Sequence, residues 1–173
     1  MRQGLLSAVV VVLLGVGIAA AVWYFLLRDD GGGDAELEAY FAEAAPLINE
    51  INDRDFQVTT AGETFLRYAT FLGQTGSDLG DLVPPEEAAA AHEELVGGLQ
   101  DGTSALADLY DQYSEVTSLD EVQRILQEDP AFVEAYGRAV AACTDLKTLA
   151  DESDVDVTLD LCASAQPAAS RGS

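Results

Sequence analysis

The sequence predicts an all-α protein: an N-terminal transmembrane helix, then an antiparallel bundle of four principal helices with a short extended C-terminal strap. Three observations predict it. Leu5 to Leu27 is a run of 23 residues without a charged side chain. From Leu37 to Ala150 the apolar residues recur at steps of three and four, the period of a helix face and not of a strand. Capping residues and prolines fall where that periodicity breaks.

Residues 1–28 read as a signal-anchor. At about 1.5 Å per residue the apolar run reaches roughly 34 Å, enough to cross a hydrocarbon core of about 30 Å. Trp23 and Tyr24 lie near its end, where amphipathic rings prefer the headgroup region. Arg2 precedes the run, and Arg28 after it is at once offset by Asp29 and Asp30. The positive-inside rule therefore places the N-terminus in the cytoplasm and the rest outside, as a single-pass protein of the cell membrane. Ala19-Ala20-Ala21 offers a signal-peptidase-like alternative, but the chain stays apolar from Val22 to Leu27, past that cut.

Charge sharpens the division. The whole chain has 31 acidic and 8 basic residues, a formal −23. Residues 29–173 alone hold all 31 acids against six bases, a formal −25. Such a surface repels nucleic acid and anionic headgroups, and it leaves cations, basic proteins or water alone as the expected counter-parties. The same charge keeps an exported domain soluble. Lys147 is the single lysine beside seven arginines, a bias that suits a GC-rich genome or a high-salt habitat and specifies no function.

Residues 29–34 read as a flexible linker, 35–162 as the extracytoplasmic bundle and 163–173 as a disordered tail. In the first helix Leu37, Tyr40, Ala44, Leu47 and Ile51 share one face, Asp34 is the expected N-cap, and Pro46 is expected to kink it. Asn52 to Thr60 reads as a connection, and Thr60-x-x-Glu63 has capping-box form. Phe65, Tyr68, Leu72, Thr75, Leu79 and Leu82 continue the pattern until Pro84-Pro85, which ends one helix and opens the next. The third helix carries a heptad seam: Ala88, His92, Leu95, Leu99, Gly102, Leu106, Leu109, Tyr113 and Val116 alternate steps of four and three. Ser118-x-x-Glu121 is a second capping box, opening a short helix to about Glu128. Asp129-Pro130 starts the last principal helix, with Phe132, Tyr136, Ala139, Cys143, Leu146 and Ala150 on its stripe. Val155, Val157, Leu159 and Leu161 then alternate with polar residues, which predicts the extended strap.

Cys143 and Cys162 are the only cysteines. On the oxidising side of a membrane an even pair becomes a disulfide, so these two are expected to be bridged. His92, the only histidine, sits on the heptad seam. It reads either as a core histidine bonded to a neutral neighbour or as a contact for a ligand. Carboxylate-bridged metal sites in helical bundles use Glu-x-x-His, whereas position 89 is Ala and the seam holds no acid. The acidic stretch Asp151–Asp160 lacks the mid-loop glycine and closing glutamate of an EF-hand. No phosphate-binding loop, nucleophile elbow or H-E-x-x-H is present. No catalytic residue, metal or cofactor is therefore expected. The expected function is a non-enzymatic, membrane-tethered helical interaction or structural module; the alternative is a ligand- or cation-binding domain with its site near His92.

Pro84-Pro85, six residues, His92-x-x-Leu95, the Ala- and Asp-rich helices, and the ending DVDVTLDLC at Cys162 resemble exported helical proteins of GC-rich bacteria, actinobacteria among them. The resemblance covers residues 84–162. It implies an extracytoplasmic helical domain and brings no activity and no site residues.

Overall fold

The structure, a computed structural model, describes residues 33–51, 61–116 and 118–163. By contacts the chain divides into two units, Met1–Glu36 and Leu37–Ser173. Among the described residues 86% are helical and no strand occurs. No described helix is long and apolar enough to cross a membrane. The expected anchor at 5–27, most of the linker, the Asn52–Thr60 connection with its Thr60 cap, and residues 164–173 of the tail lie outside the described residues.

Helix α1 covers residues 33–51. Gly33 and Asp34 are already helical, so Asp34 sits inside the helix and not at its N-cap. The helix continues through Pro46, whose ring is exposed. Its buried face is broader than the stripe read from the sequence, because Phe41, Ala45 and Ile48 join Leu37, Tyr40 and Ala44 in the core. Helix α2 (Ala61–Gly80) buries Phe65, Leu72, Thr75 and Leu79 as its period predicts.

Helix α3 (Glu86–Tyr113) is the centre of the bundle, with its most extensive contacts to α2 and to α5. Every seam residue from Ala88 to Leu109 is buried, while Tyr113 is exposed and Val116 lies beyond the helix. Glycines report the packing direction. A Cβ on Gly62 would meet Ser114, on Gly73 Thr103, on Gly76 Leu99 and on Gly80 Val96. The partner number falls as the glycine number rises, so α2 and α3 run antiparallel. Gly98 faces Ala135 and Ala139 at a close approach of α3 and α5: a Cβ there would lie 2.8 Å from the Ala139 amide nitrogen. Only glycine permits backbones that near.

Helix α4 (Leu119–Glu128) buries Val122 and Ile125 against its neighbours. Ser118 is its N-cap, but its side chain makes no capping hydrogen bond, so the capping box written in the sequence is not closed. Helix α5 (Pro130–Glu152) starts as expected. The Phe132 amide donates to Asp129 Oδ1 at 2.7 Å, and Pro130 occupies the first turn, where no amide is needed.

Helix α5 ends at a left-handed residue, Asp154 (φ 54°), and the Val155 amide reaches back to the Ala150 carbonyl at 2.9 Å. Residues 155–159 are neither helix nor strand, and burial alternates along them from half-buried Val155 and Val157 to buried Leu159. The expected extended segment stops there, because Asp160–Ala163 form one helical turn, α6. Asn49 of α1 holds this crossing at two points: its Nδ2 donates to the Thr158 carbonyl and its Oδ1 accepts from the Asp160 amide, both at 2.8 Å. The single turn places Leu161 in the core and Cys162 opposite Cys143.

Candidate functional site

The bridge and the histidine are where the sequence placed functional chemistry. Cys143 and Cys162 are joined, with Cα atoms 5.4 Å apart, inside the range a disulfide spans. Cys143 is fully buried on α5, and no free cysteine remains. The pair therefore joins α6 to α5 and offers no exposed thiol.

His92 is 6% exposed and faces α1, where the Tyr40 hydroxyl lies 3.0 Å from Nδ1. The rings meet edge to face, with centroids 5.8 Å apart. Burial pushes the imidazole below its ordinary value and the Tyr40 phenol up to about 12, so both groups stay neutral at neutral pH. In the tautomer with its proton on Nε2 the tyrosine hydroxyl donates and the ring accepts; in the other tautomer Nδ1–H donates to the hydroxyl oxygen. The contact is between two uncharged partners, and no carboxylate contributes to the shift. Catalysis by a histidine requires a reacting group within reach and a neighbour that tunes it; here the near nitrogen is already taken by a phenol. Among the described residues no group of three His, Cys, Asp or Glu is placed to hold a metal ion.

A surface groove of about 410 Å³ is lined by His92 together with Glu93, Glu94, Gly97 and Arg138, among others. Arg138 of α5 crosses it and pairs with Glu94 at 3.1 Å and with Asp101, two turns further along α3. Gly97 makes room for the guanidinium, since a Cβ there would lie 3.0 Å from it. These three side chains are exposed or half-exposed, so the pairs fasten α5 to α3 with a small net gain.

No protein-family model matches the chain, and neither a curated protein nor a solved structure is detectably similar to it.

The second concavity was not anticipated from the sequence. Tyr68 of α2 and Phe132 and Tyr136 of α5 line an apolar cleft of about 210 Å³ whose wall includes Gly98 and Gly102 of α3. Phe132 and Tyr136 stack one helical turn apart, with centroids 6.2 Å apart and planes 17° from parallel. Both belong to the stripe whose later members, Ala139, Cys143, Leu146 and Ala150, are buried. Tyr136 is nevertheless 42% exposed. Periodicity puts these two rings on the core-facing side of α5, and Gly98 and Gly102 of α3 form part of the wall beside them. The signal in the sequence was the i, i+4 aromatic pair near the start of α5 together with a glycine on the facing seam, which reads equally well as ordinary core.

Proposed function

We propose that the chain is a membrane-tethered, extracytoplasmic helical module that acts by binding and not by catalysis. Residues 5–27 hold it in the membrane, the N-terminus lies in the cytoplasm, and residues 155–159 serve as a strap that closes the bundle. The observation that carries the reading is the disposition of charge. Arg124, Arg138 and Lys147 are each engaged with carboxylates of the protein itself. In helix α1 Asp34, Glu36, Glu38 and Glu43 are exposed, and residues 33–51 contain no Lys or Arg. An acidic face so depleted of cations favours a basic partner, speeds its encounter and weakens as salt screens it.

Two measurements test this. Protease added to intact cells or spheroplasts is expected to degrade residues 34–173; full protection reverses the topology. Pull-down of the tagged full-length protein from its native envelope is expected to recover a basic protein that Glu36→Lys/Glu38→Lys/Glu43→Lys loses and that elutes as salt rises. Recovery indifferent to both removes the acidic face from the account.

The alternative, a ligand-binding domain, has a specific observation in its favour: a preformed apolar cleft with three aromatic side chains. The cleft at Tyr68, Phe132 and Tyr136 thus offers a second candidate ligand site beside the groove that His92 lines.

A further inference from the structure

We propose that the cleft between α2, α3 and α5 binds a small soluble cation carrying its charge on methylated or alkylated nitrogen, a trimethylammonium-type head, held by the rings of Tyr68, Phe132 and Tyr136. This deepens the ligand-binding alternative and does not depend on the acidic face of α1.

Four properties select that ligand. The first is size. At about 210 Å³ the cleft lies below the roughly 300–1,000 Å³ of drug-sized pockets, so it suits one compact head and not an extended molecule. The second is lining. No Asp, Glu, Lys or Arg lines it, and Ile51, Leu72, Leu99 and Leu161 complete an apolar wall around the aromatics. A strongly hydrated ion such as ammonium or calcium would lose its water there without compensating ligands. An alkylated ammonium is weakly hydrated and presents methyl groups to the wall.

The third property is the aromatic faces. Ring quadrupoles attract a cation within about 6 Å of the centroid, and aromatic cages are the general solution for quaternary ammonium groups. The stacked pair Phe132–Tyr136 fixes two rings on one helix, and Tyr68 supplies a third from another. The fourth is the field. Residues 29–173 carry a formal −25, which concentrates cations around the domain and disfavours anions. A neutral apolar solute would gain the wall contacts but neither the ring nor the field attraction.

The experiment is calorimetric titration of the full-length protein in a non-ionic detergent with choline and, separately, with its uncharged isostere 3,3-dimethyl-1-butanol. Choline is expected to bind at least about tenfold more tightly, the factor that a partly desolvated cation–π contact supplies. Tyr136→Ala is expected to weaken choline binding about tenfold with helicity and melting temperature retained, because that side chain is substantially exposed. Tyr136→Phe keeps the ring and is expected to bind as the wild type does. Equal affinity for the two probes overturns the cation assignment. Absence of choline binding, or binding untouched by both Tyr136→Ala and Phe132→Ala, overturns the site. Binding of a soluble short-chain phosphatidylcholine when choline fails overturns the choline assignment without involving the anchor at 5–27. None of these outcomes bears on the basic-partner reading, which pull-down with the Tyr136→Ala protein reads independently.

Discussion

Tyr40 and His92 are 52 residues apart and form a hydrogen bond in the core between α1 and α3. A buried hydroxyl or ring nitrogen left without a partner costs about 1–3 kcal/mol, whereas removing both partners together is close to neutral. Tyr40→Phe and His92→Leu are each expected to lower unfolding free energy by about that amount, and the double variant by clearly less than their sum. Strict additivity in urea titrations would show that the pair does not interact. The histidine also sets a pH dependence. Its folded pKa is depressed below the ordinary 6.5 by desolvation, so the unfolded chain takes up the proton first. Stability from this group is full above pH 6.5 and is lost as pH falls through the lower folded value. His92→Leu is expected to flatten that limb of the stability profile; an unchanged acid limb would place its origin in the carboxylates. Tyr40 gives the opposite sign: its phenol rises from 10.0 to about 12, so its contribution is full below pH 10 and lost between those values. The seam register showed that His92 would be covered, but nothing in one sequence pairs it with a particular residue of another helix. That pairing depends on which turns of α1 and α3 meet, a long-range fact that local periodicity does not contain.

Each helix resolves into face and neighbour, and glycine separates the two. Gly98 lies where α3 and α5 approach closely, so Gly98→Ala drives a methyl against the Ala139 amide and the Ala135 carbonyl and forces the helices apart. A loss of about 1–3 kcal/mol or more is expected, as for other overpacked sites whose obstacle is backbone. Gly137, one turn along α5 from Val133, is exposed, and a Cβ there meets nothing within 4 Å. Gly137→Ala is therefore expected to stabilise by about 0.5–1 kcal/mol through helix propensity alone. Thermal melts of the two variants moving in the same direction would refute the assignment of close packing to Gly98. The sequence made most of this architecture legible: the α3 seam, the stripes of α2 and α5, and the Asp129-Pro130 start all reappear, because each depends on local period or local capping. It did not reveal that Tyr136 would stay uncovered. A stripe states which side of a helix turns inward, not whether a neighbour fills the space at that level. Ser118 shows the converse, a capping sequence whose side-chain bond is absent. The alternation from Val155 to Leu161 shows a third limit: buried positions spaced by two were satisfied at the end by a helical turn instead of an extended chain.

At the scale of the whole molecule the disulfide connects stability to location. Cys143 and Cys162 are separated by 19 positions, and between them lie residues 144–152 of α5, Asp154 and the 155–159 crossing. Closing such a loop removes entropy from the unfolded chain worth about 3 kcal/mol on the chain-entropy model. The native state gains as well, because α6 carries Leu161 into the core and Asn49 already fixes the backbone at Thr158 and Asp160. Cys143→Ala/Cys162→Ala is thus expected to fold, to lose about 3 kcal/mol of stability, and to become cleavable between Ser153 and Thr158 before the helices unfold. Loss of stability with a larger urea m-value would mark the unfolded state as its source, since an unbridged chain exposes more surface on unfolding. Loss with an unchanged m-value and early cleavage would instead assign it to the native docking of α6. Location enters through the thiols. A reducing cytoplasm would keep them free, whereas an extracytoplasmic domain oxidises them. Protein isolated from its native membrane under thiol-blocking conditions is therefore expected to carry no titratable thiol until a reductant is added. Two blocked cysteines in that preparation would contradict the outward orientation proposed from the charge asymmetry about residues 5–27, even with the fold unchanged.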